Sequence, residues 1–267
     1  MSKKRDIPVF NHAIIETHCH LDYLKEVELE EIVERSQAAG VERIITISVA
    51  PGNLDTVLNL TRQHDMIFGT QGVHPHEAEK FTSDTEAQIR EQALDPRILA
   101  IGEIGLDYFY DHADRKVQQR VFETQLQIAS DLDLPVVIHS READEDTMSI
   151  LANFENTLKK RGVIHSFTSG PELAQYAIDQ GFCLGFNGIC TFNKAENVRD
   201  IILMTPLENI ILETDAPYLT PVPYRGKENA PFYLPFVAEK VAEVKEVLVD
   251  DFLPVAYANS ERLFFQK

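Results

Sequence analysis

Short apolar runs alternate with amphipathic stretches eight times along this sequence, and the alternation constrains the fold more than any other feature. The apolar runs are rich in β-branched and aliphatic residues, as is typical of parallel strands that are buried on both faces. We predict eight strands, at Ala13–Cys19, Arg43–Val49, Ile67–Val73, Ile98–Ile104, Pro135–His139, Gly162–Ser166, Phe182–Phe186 and Asn209–Thr214.

Helices are predicted between these strands. The glycines Gly40, Gly162 and Gly181 follow amphipathic stretches and indicate helix ends. The clearest predicted helices are Leu29–Ala39, Arg115–Leu132, Asp144–Arg161 and Pro171–Gln180, followed by a helix near Ala230–Leu248 and a C-terminal one at Pro254–Phe264.

Eight strand–helix units in 267 residues indicate an α/β fold, either a closed barrel or a doubly wound open sheet. No Gly-rich phosphate loop follows the first strand, which disfavours the dinucleotide-binding open sheet. The length suits one barrel of about 250 residues, and no linker or low-complexity run divides the chain. We therefore predict a single (β/α)8 TIM barrel with an extra C-terminal helix, forming one domain over residues 1–267.

Composition and charge exclude several classes of protein. No apolar run approaches the roughly 18 to 20 residues that span a bilayer, and the opening MSKKRDIPVF lacks the apolar stretch of a signal peptide. Cys19, Cys183 and Cys190 do not fit a disulfide framework, so we expect reduced cysteines and a cytoplasmic protein. The net charge of −18 disfavours a non-specific DNA coat. A nucleic-acid substrate stays open, because bound metal ions can invert the local field.

Polar side chains follow almost every predicted strand at its C-terminal end. In β/α barrels these ends form the rim that carries the active site. Six of the nine histidines lie there, which makes the rim a candidate metal site. In chain order the rim residues are His18, His20, Ser48, His74, His76, Glu103, His139, His165, Asn187 and Asp215.

A His-x-His pair, His18 and His20, ends the first strand. Strand alternation places both imidazoles on one face, about 7 Å apart, within reach of one ion. Such a pair alone is more often two hydrogen-bonded histidines than a metal site. A carboxylate at the end of the fourth strand, however, would be costly to bury without charged partners. The combined set favours metal, with candidate ligands His18, His20, Glu103, His139, His165 and Asp215.

Six ligands exceed the three that one catalytic zinc usually takes, so we predict two divalent ions, Mg, Mn or Zn. The His-x-His pair and Asp215 would hold one ion, the histidines of the fifth and sixth strands the other, with Glu103 bridging them. Water between the ions would be the nucleophile, and Asp215 would orient it and take its proton. Spacing leaves open whether His74 and His76 are also ligands.

The chain also resembles the TatD-family hydrolases, which belong to the amidohydrolase-like barrel superfamily. The resemblance covers essentially the whole chain in the expected order, which makes it far more specific than any single motif. It lies in THCHLD (17–22), GVHPHEA (72–78), IGEIGLDYF (101–109), PVVIHSREA (135–143), HSFTSG (165–170), LETDAPYLTP (212–221), RGKENAP (225–231) and ANSERLF (258–264).

This resemblance implies a divalent-metal-dependent hydrolase, and several members of the family are deoxyribonucleases, often 3′-to-5′ exonucleases on single strands. It implies the same six metal ligands. It also implies that His74 contacts the substrate or donates a proton, with His76 as a further substrate-binding residue. Single-stranded DNA is then the expected substrate, and a monomer is compatible with the sequence.

The departures from the family pattern are small. Glu16 and Thr17 stand where an Asp-Ser or Asp-Thr pair is commoner, and residues 185–188 read GFNG instead of SFSG. The segment 165–170 departs from the common HCFSG. The segments 165–170 and 185–188 line the rim, so these two departures affect the expected substrate preference more than metal binding.

Arg141 is the remaining candidate substrate-binding residue. It lies on the loop after the fifth strand, where a guanidinium can clamp a phosphate through two hydrogen bonds. The alternative is a surface ion pair with Glu142 or Asp144. The aromatic residues at 108–110 could stack on bases, but such residues more often pack a loop, and we do not count them as site residues.

Three functions are compatible with these features. The leading hypothesis is a deoxyribonuclease that cleaves phosphodiester bonds, with His74 or His76 assisting the leaving oxygen. The alternative is an amidohydrolase-like enzyme that acts on an ester, amide or lactone, since a fold does not fix a function. A non-catalytic metal-binding or nucleic-acid-binding protein is disfavoured, because a pure binder has no need of an open two-metal site.

Overall fold

Eight parallel strands form the centre of the structure, a computed structural model that describes residues 5–266. Each strand pairs with the next one in the chain, so the order in the sheet is the order in the sequence. The strands are β1 (Ile14–Cys19), β2 (Val41–Thr46), β3 (Ile67–Gln71), β4 (Ile98–Asp107), β5 (Val136–Arg141), β6 (Gly162–Ile164), β7 (Cys183–Phe186) and β8 (Ile210–Leu212).

The sheet closes on itself at the carboxyl ends of its first and last strands. Cys19 forms a parallel bridge with Ala216, just beyond β8. The backbone N–H of His20 donates to the Ala216 carbonyl at 2.7 Å, and that of Asp215 donates to the His18 carbonyl at 2.8 Å. The predicted TIM barrel is thus confirmed, and the closure itself joins segments that carry candidate ligands.

Helices alternate with the strands. They are α1 (Leu29–Ala38), α2 (Leu54–Thr61), α3 (Ser83–Gln92), α4 (Arg115–Leu132), α5 (Asp144–Asn153), α6 (Pro171–Asp179), α7 (Glu196–Met204), α8 (Leu234–Val244) and α9 (Val249–Ser260). No strand separates α8 from α9, which is the predicted extra C-terminal helix and packs against β1 and β8.

Two apolar layers lie on either side of the barrel wall. Because successive side chains of a strand point to opposite faces, Ile44 and Val136 pack outward with the helices while Ile45 and Val137 pack inward. The inner cluster includes Leu263 and Phe264 of the C-terminal turn. Most polar residues of the site therefore lie in the C-terminal halves of the strands or just beyond them.

The prediction of a helix over Asp144–Arg161 was wrong at its C-terminal end. The helix ends at Asn153 because the next residues turn back on themselves. Arg161 has a φ of 56°, and its guanidinium donates to the carbonyls of Glu155 and Leu158. A side chain, rather than further helical hydrogen bonds, therefore satisfies these carbonyls.

The glycine predictions were right at two positions of three. Gly40 and Gly181 have φ values of 84° and 79°, the left-handed conformation that ends helices. Gly162, predicted as a helix end, is instead the first residue of β6. A Cβ atom there would lie 2.1 Å from the Val136 carbonyl oxygen, so close strand packing requires glycine.

The two C-terminal helices also differ from their predicted bounds. The predicted helix Ala230–Leu248 shortens to α8, preceded by a 3-10 turn at Pro231–Tyr233. Pro254 was predicted to begin the last helix but lies inside α9. The hydrogen bond that proline removes would have reached the Asp250 carbonyl. Asp250 is exposed in the first turn, where water can satisfy its carbonyl.

The cysteine prediction is confirmed, because Cys19, Cys183 and Cys190 are free and buried. Across residues 5–266, each helix is too short or too polar to cross a membrane. The predicted domain over residues 1–267 and the opening MSKK include positions 1–4 and 267, which lie outside the described residues.

Candidate metal centre

The six candidate ligands converge at the carboxyl end of the barrel. Glu103, His139, His165, His20 and Asp215 line a cleft of about 710 Å³. The sixth, His18, is buried beside them. Its ring stacks on that of His165, with the ring centroids 3.8 Å apart and the ring planes at 6° to each other. They meet because the barrel brings the ends of β1, β4, β5, β6 and β8 to one rim.

One group of donor atoms comes from β1 and the segment after β8. His18 Nε2 and His20 Nε2 lie 3.7 and 3.5 Å from Asp215 Oδ1. His20 Nδ1 lies 3.2 Å from the Ile47 carbonyl, to which it donates. In the neutral form that binds metal, the imidazole carries one proton, so this bond leaves the lone pair of His20 Nε2 facing Asp215. These three side chains offer atoms within 4.8 Å of one another.

A second group surrounds one oxygen of Glu103. His165 Nε2 lies 2.8 Å and His139 Nδ1 3.1 Å from Glu103 Oε1, and the two nitrogens are 3.4 Å apart. The other oxygen, Oε2, faces His18 Nε2 at 3.4 Å. Glu103 therefore stands between the two groups and contacts both, as a bridging ligand requires.

The surroundings of Glu103 keep it ionised. Burial alone would raise the pKa of this carboxyl group, since only 3% of the residue is exposed. His165, His74 and His139 outweigh that effect and hold the pKa well below its usual value. Burial lowers the pKa of His18, and His165 lowers it further. An ionised carboxylate beside a neutral imidazole is the state in which both bind metal.

Unpartnered buried atoms show that this donor set fits divalent cations. Neither ring nitrogen of His18 has a hydrogen-bond partner among the described residues, although the side chain is only 1% exposed. Burying such a group without a partner costs free energy. Nitrogen and carboxylate donors of this kind suit zinc or manganese, and magnesium with added waters.

Asp107 is a site residue that the sequence interpretation missed. Its Oδ2 lies 2.9 Å from His139 Nε2, and this bond turns the lone pair of His139 Nδ1 toward Glu103. Burial would raise the pKa of Asp107, but His139 and His76 hold it well below its usual value. The signal was available, because Asp107 lies four residues after Glu103 and alternation places both on one face. The prediction ended this strand at Ile104, whereas β4 continues to Asp107.

We expect Asp107→Asn to weaken binding of the ion beside His139 by about 10- to 100-fold. An amide NH2 in place of Oδ2 would favour the His139 tautomer protonated on Nδ1, which has no lone pair for metal. Zinc or manganese titration by calorimetry measures the change. Asp111→Asn, an exposed position of the same loop, is the control. Equal affinities in the two variants would contradict the role of Asp107.

His74 lies close to the second group but is oriented as a donor. Its Nδ1 accepts from the His76 backbone N–H at 3.1 Å, which places its own proton on Nε2. That nitrogen lies 3.3 Å from Glu103 Oε1. Burial lowers the pKa of His74 to about 4, so the ring is neutral at pH 7. A neutral Nε2–H group can donate a hydrogen bond to a substrate oxygen but offers no lone pair to an ion.

The other two predicted substrate-binding residues line the same cleft. His76 Nε2 lies 3.0 Å from Asp107 Oδ2 without the alignment of a hydrogen bond. The guanidinium carbon of Arg141 lies over the rings of Phe109 and Tyr110, 4.2 and 4.8 Å from their centroids. Within residues 5–266 it forms no ion pair, so the alternative pairing with Glu142 or Asp144 is not found.

Two buried glutamate side chains connect the chain segments that carry the site. Glu16 accepts hydrogen bonds from the backbone N–H groups of His18 and Thr214, and therefore ties β1 to the segment after β8. Burial raises its pKa to about 8. Glu213 accepts from the Ser166 N–H at 2.7 Å, and a Cβ atom at Gly185 would lie 2.4 Å from its Oε2. The glycine that departs from the family pattern at 185 thus leaves room for this carboxylate.

A TIM barrel with histidines and carboxylates gathered at its carboxyl rim is the architecture of a metal-dependent hydrolase. The sequence model described as "TatD related DNase" matches residues 15–265. The chain belongs to this family and is a TatD-type metal-dependent hydrolase.

Individual relatives are similar to this chain over nearly its whole length. The uncharacterized metal-dependent hydrolase YabD of Bacillus subtilis is 35% identical over 252 residues, covering 94% of this chain and 98% of the relative. The 3′-5′ ssDNA/RNA exonuclease TatD of Erwinia tasmaniensis is 34% identical over 242 residues, covering 88% and 93%. The crystal structure of YjjV, a TatD homologue from Escherichia coli, superposes with a TM-score of 0.89 at 30% identity, covering 95% of this chain and 98% of YjjV.

Proposed function

We propose that the chain is a nuclease that hydrolyses phosphodiester bonds of single-stranded DNA, acting from the 3′ end. The observation that carries the proposal is the position of Glu103 between two groups of donor atoms that open into one cleft. The Erwinia relative named as a 3′-5′ ssDNA/RNA exonuclease supports the choice of substrate.

In this proposal the side chains would hold two divalent ions, of Mg, Mn or Zn. Glu103 would serve both ions, His18, His20 and Asp215 would complete one site, and His139 and His165 the other. When bound, the ions polarise the phosphoryl group and lower the pKa of the attacking water. A cytoplasmic location and a monomeric state remain predictions.

The side chains supply the remaining steps. Asp215 lines the cleft with its Oδ1 turned toward His18 and His20, and its other oxygen accepts the proton of the attacking water. His74 donates its Nε2–H to a phosphoryl oxygen, where negative charge develops. The bond between phosphorus and the leaving oxygen then breaks, His76 donates a proton to that oxygen, and Arg141 pairs with a neighbouring phosphate.

We expect the metal-reconstituted protein to release mononucleotides from the 3′ end of single-stranded DNA and to lose this activity when chelated. A time course on 5′-labelled single strands measures both, with a duplex of the same sequence as control. A panel of RNA, esters and lactones is assayed in parallel. Turnover of an ester or lactone without cleavage of any single strand would contradict the proposal and favour an amidohydrolase-like activity.

A further inference from the structure

The loop after β4 presents two aromatic rings at the mouth of the cleft. Phe109 and Tyr110 are 51% and 50% exposed, and Tyr110 lines the cleft. Their ring centroids are 4.9 Å apart and the ring planes are perpendicular, at 89°, while the exposed His112 ring stacks on Tyr110 with a centroid distance of 5.7 Å. Large exposed apolar side chains at the edge of a binding cleft mark a contact surface.

This loop is fixed in place. The Asp107 Oδ1 atom accepts the backbone N–H groups of Phe109 and Tyr110 at 3.1 and 2.9 Å. Tyr108 anchors the loop from the other side, because its hydroxyl donates to Asp146 and accepts from Gln119. Tyr108 thus packs the loop, whereas its two neighbours point outward. The other oxygen of Asp107 holds His139, so the exposed rings are positioned relative to the candidate metal centre.

Beside these rings lies the guanidinium of Arg141, which forms no ion pair or hydrogen bond within residues 5–266. Alternation places it on the same face of β5 as His139. In the described part of the chain, other arginines that lie over aromatic rings also bond a carboxylate or carbonyl, such as Arg43 with Glu261 and Arg225 with the Thr220 carbonyl. Arg141 has the ring contacts without such a bond within residues 5–266. Its guanidinium donors remain available to a ligand.

The charges nearby limit where an anion can lie. A hollow of about 560 Å³ next to the cleft is lined by Arg141 and Tyr108 together with the acidic residues Glu142, Asp144, Glu145 and Asp146. Those carboxylates repel phosphate. The cleft is lined by as many carboxylates, but divalent ions held there would offset their charge, so a phosphate that pairs with Arg141 lies on its cleft side, next to Tyr110.

We propose that Tyr110, Phe109 and Arg141 form a nucleotide subsite in which Tyr110 stacks on an unpaired base and Arg141 binds the adjoining phosphate. The base takes the place of the exposed His112 ring on Tyr110, and Phe109 contacts the following base. An aromatic face and a two-pronged cation match the two parts of a nucleotide. Bases inside a duplex are paired and stacked on both faces, so the subsite favours single strands. This inference rests on the nuclease function proposed above.

Affinity for oligonucleotides with hydrolysis-resistant 3′ phosphorothioate linkages tests the subsite in the metal-loaded protein. Tyr110→Ala is expected to weaken binding of a single strand about tenfold, and Tyr110→Phe to restore it. The same oligonucleotide with abasic 3′ nucleotides should bind Tyr110→Ala and wild type equally. Arg141→Ala should weaken binding of both oligonucleotides. Leu94→Ala, which removes a side chain 71% exposed at the opposite end of the barrel, is the control and should change neither.

The outcomes separate the subsite from the nuclease function. If wild type cleaves single strands but Tyr110→Ala binds normal and abasic strands as wild type does, the subsite is wrong and the nuclease function stands. If wild type neither binds nor cleaves any single strand, the subsite and the nuclease function are both contradicted. Steady-state kinetics add a second readout, because loss of a stacking contact should raise KM and leave the metal content unchanged.

Discussion

Replacing Glu103 with glutamine is expected to leave at most one ion per chain and to lower kcat/KM about 1000-fold. The two carboxylate oxygens face different donor groups, and an amide offers only one oxygen and turns an NH2 group toward the histidines. Loss of a shared ligand removes several kcal/mol of transition-state stabilisation, and about 1.4 kcal/mol corresponds to each factor of ten. Metal content by atomic emission and kinetics on single-stranded DNA measure the effects.

Glu77→Gln is the matched control, because Glu77 lines the same cleft without belonging to either donor group. Its metal content should equal that of wild type. Circular dichroism on both variants separates loss of metal from loss of fold. Two ions retained by a folded Glu103→Gln variant would refute the bridging position of Glu103.

Asp215→Asn is expected to lower kcat by about 100- to 10,000-fold while KM changes little, because the amide cannot accept a proton from water. The backbone should tolerate the change. Asp215 has a φ of 58°, and asparagine is among the residues that adopt this left-handed conformation most readily. Metal content is measured together with kcat, since His18, His20 and Glu103 remain to hold the ion.

Asp133→Asn is the control for this substitution. Asp133 also has a positive φ, 52°, but it ends α4 at the opposite end of the barrel from the cleft. Wild-type kcat in Asp133→Asn would show that the chemical change is harmless at such a backbone position. Wild-type kcat in Asp215→Asn as well would exclude Asp215 as the proton acceptor and leave it only the role of a ligand.

Asp107 shows how closely binding and metal ligation are connected in this fold. One of its oxygens orients His139, and the other holds the backbone of the aromatic loop. A substitution there should therefore alter metal affinity and oligonucleotide affinity together. Tyr110→Ala should alter only the oligonucleotide affinity.

Most of the candidate site could be predicted from the sequence because its residues end apolar strands. His139 directly follows the run PVVI, and His165 follows GVI. A polar residue in that position of a barrel lies at the rim, whatever the details of packing. The length of β4 could not be predicted in the same way, since residues 105–107 include a glycine and an aspartate. Asp107 was therefore missed, although it lies on the same face as Glu103.

The roles of individual atoms could not be predicted from spacing. His74 and His76 have the same strand-end position as the candidate ligands, and only the backbone bond to His74 Nδ1 shows that its Nε2 carries the proton. Likewise, the acidic residues next to Arg141 left an ion pair open as the alternative to phosphate binding. The structure instead places its guanidinium over Phe109 and Tyr110.

The sequence by itself determined the eight-stranded barrel, because buried parallel strands need continuous apolar runs and a barrel exposes polar residues only at strand ends. Only the tertiary structure decided which oxygen of Glu103 faces which histidines, and which nitrogen of each imidazole is free. These features depend on hydrogen bonds between residues far apart in the chain, such as Asp107 with His139. Residue spacing carries no information about them.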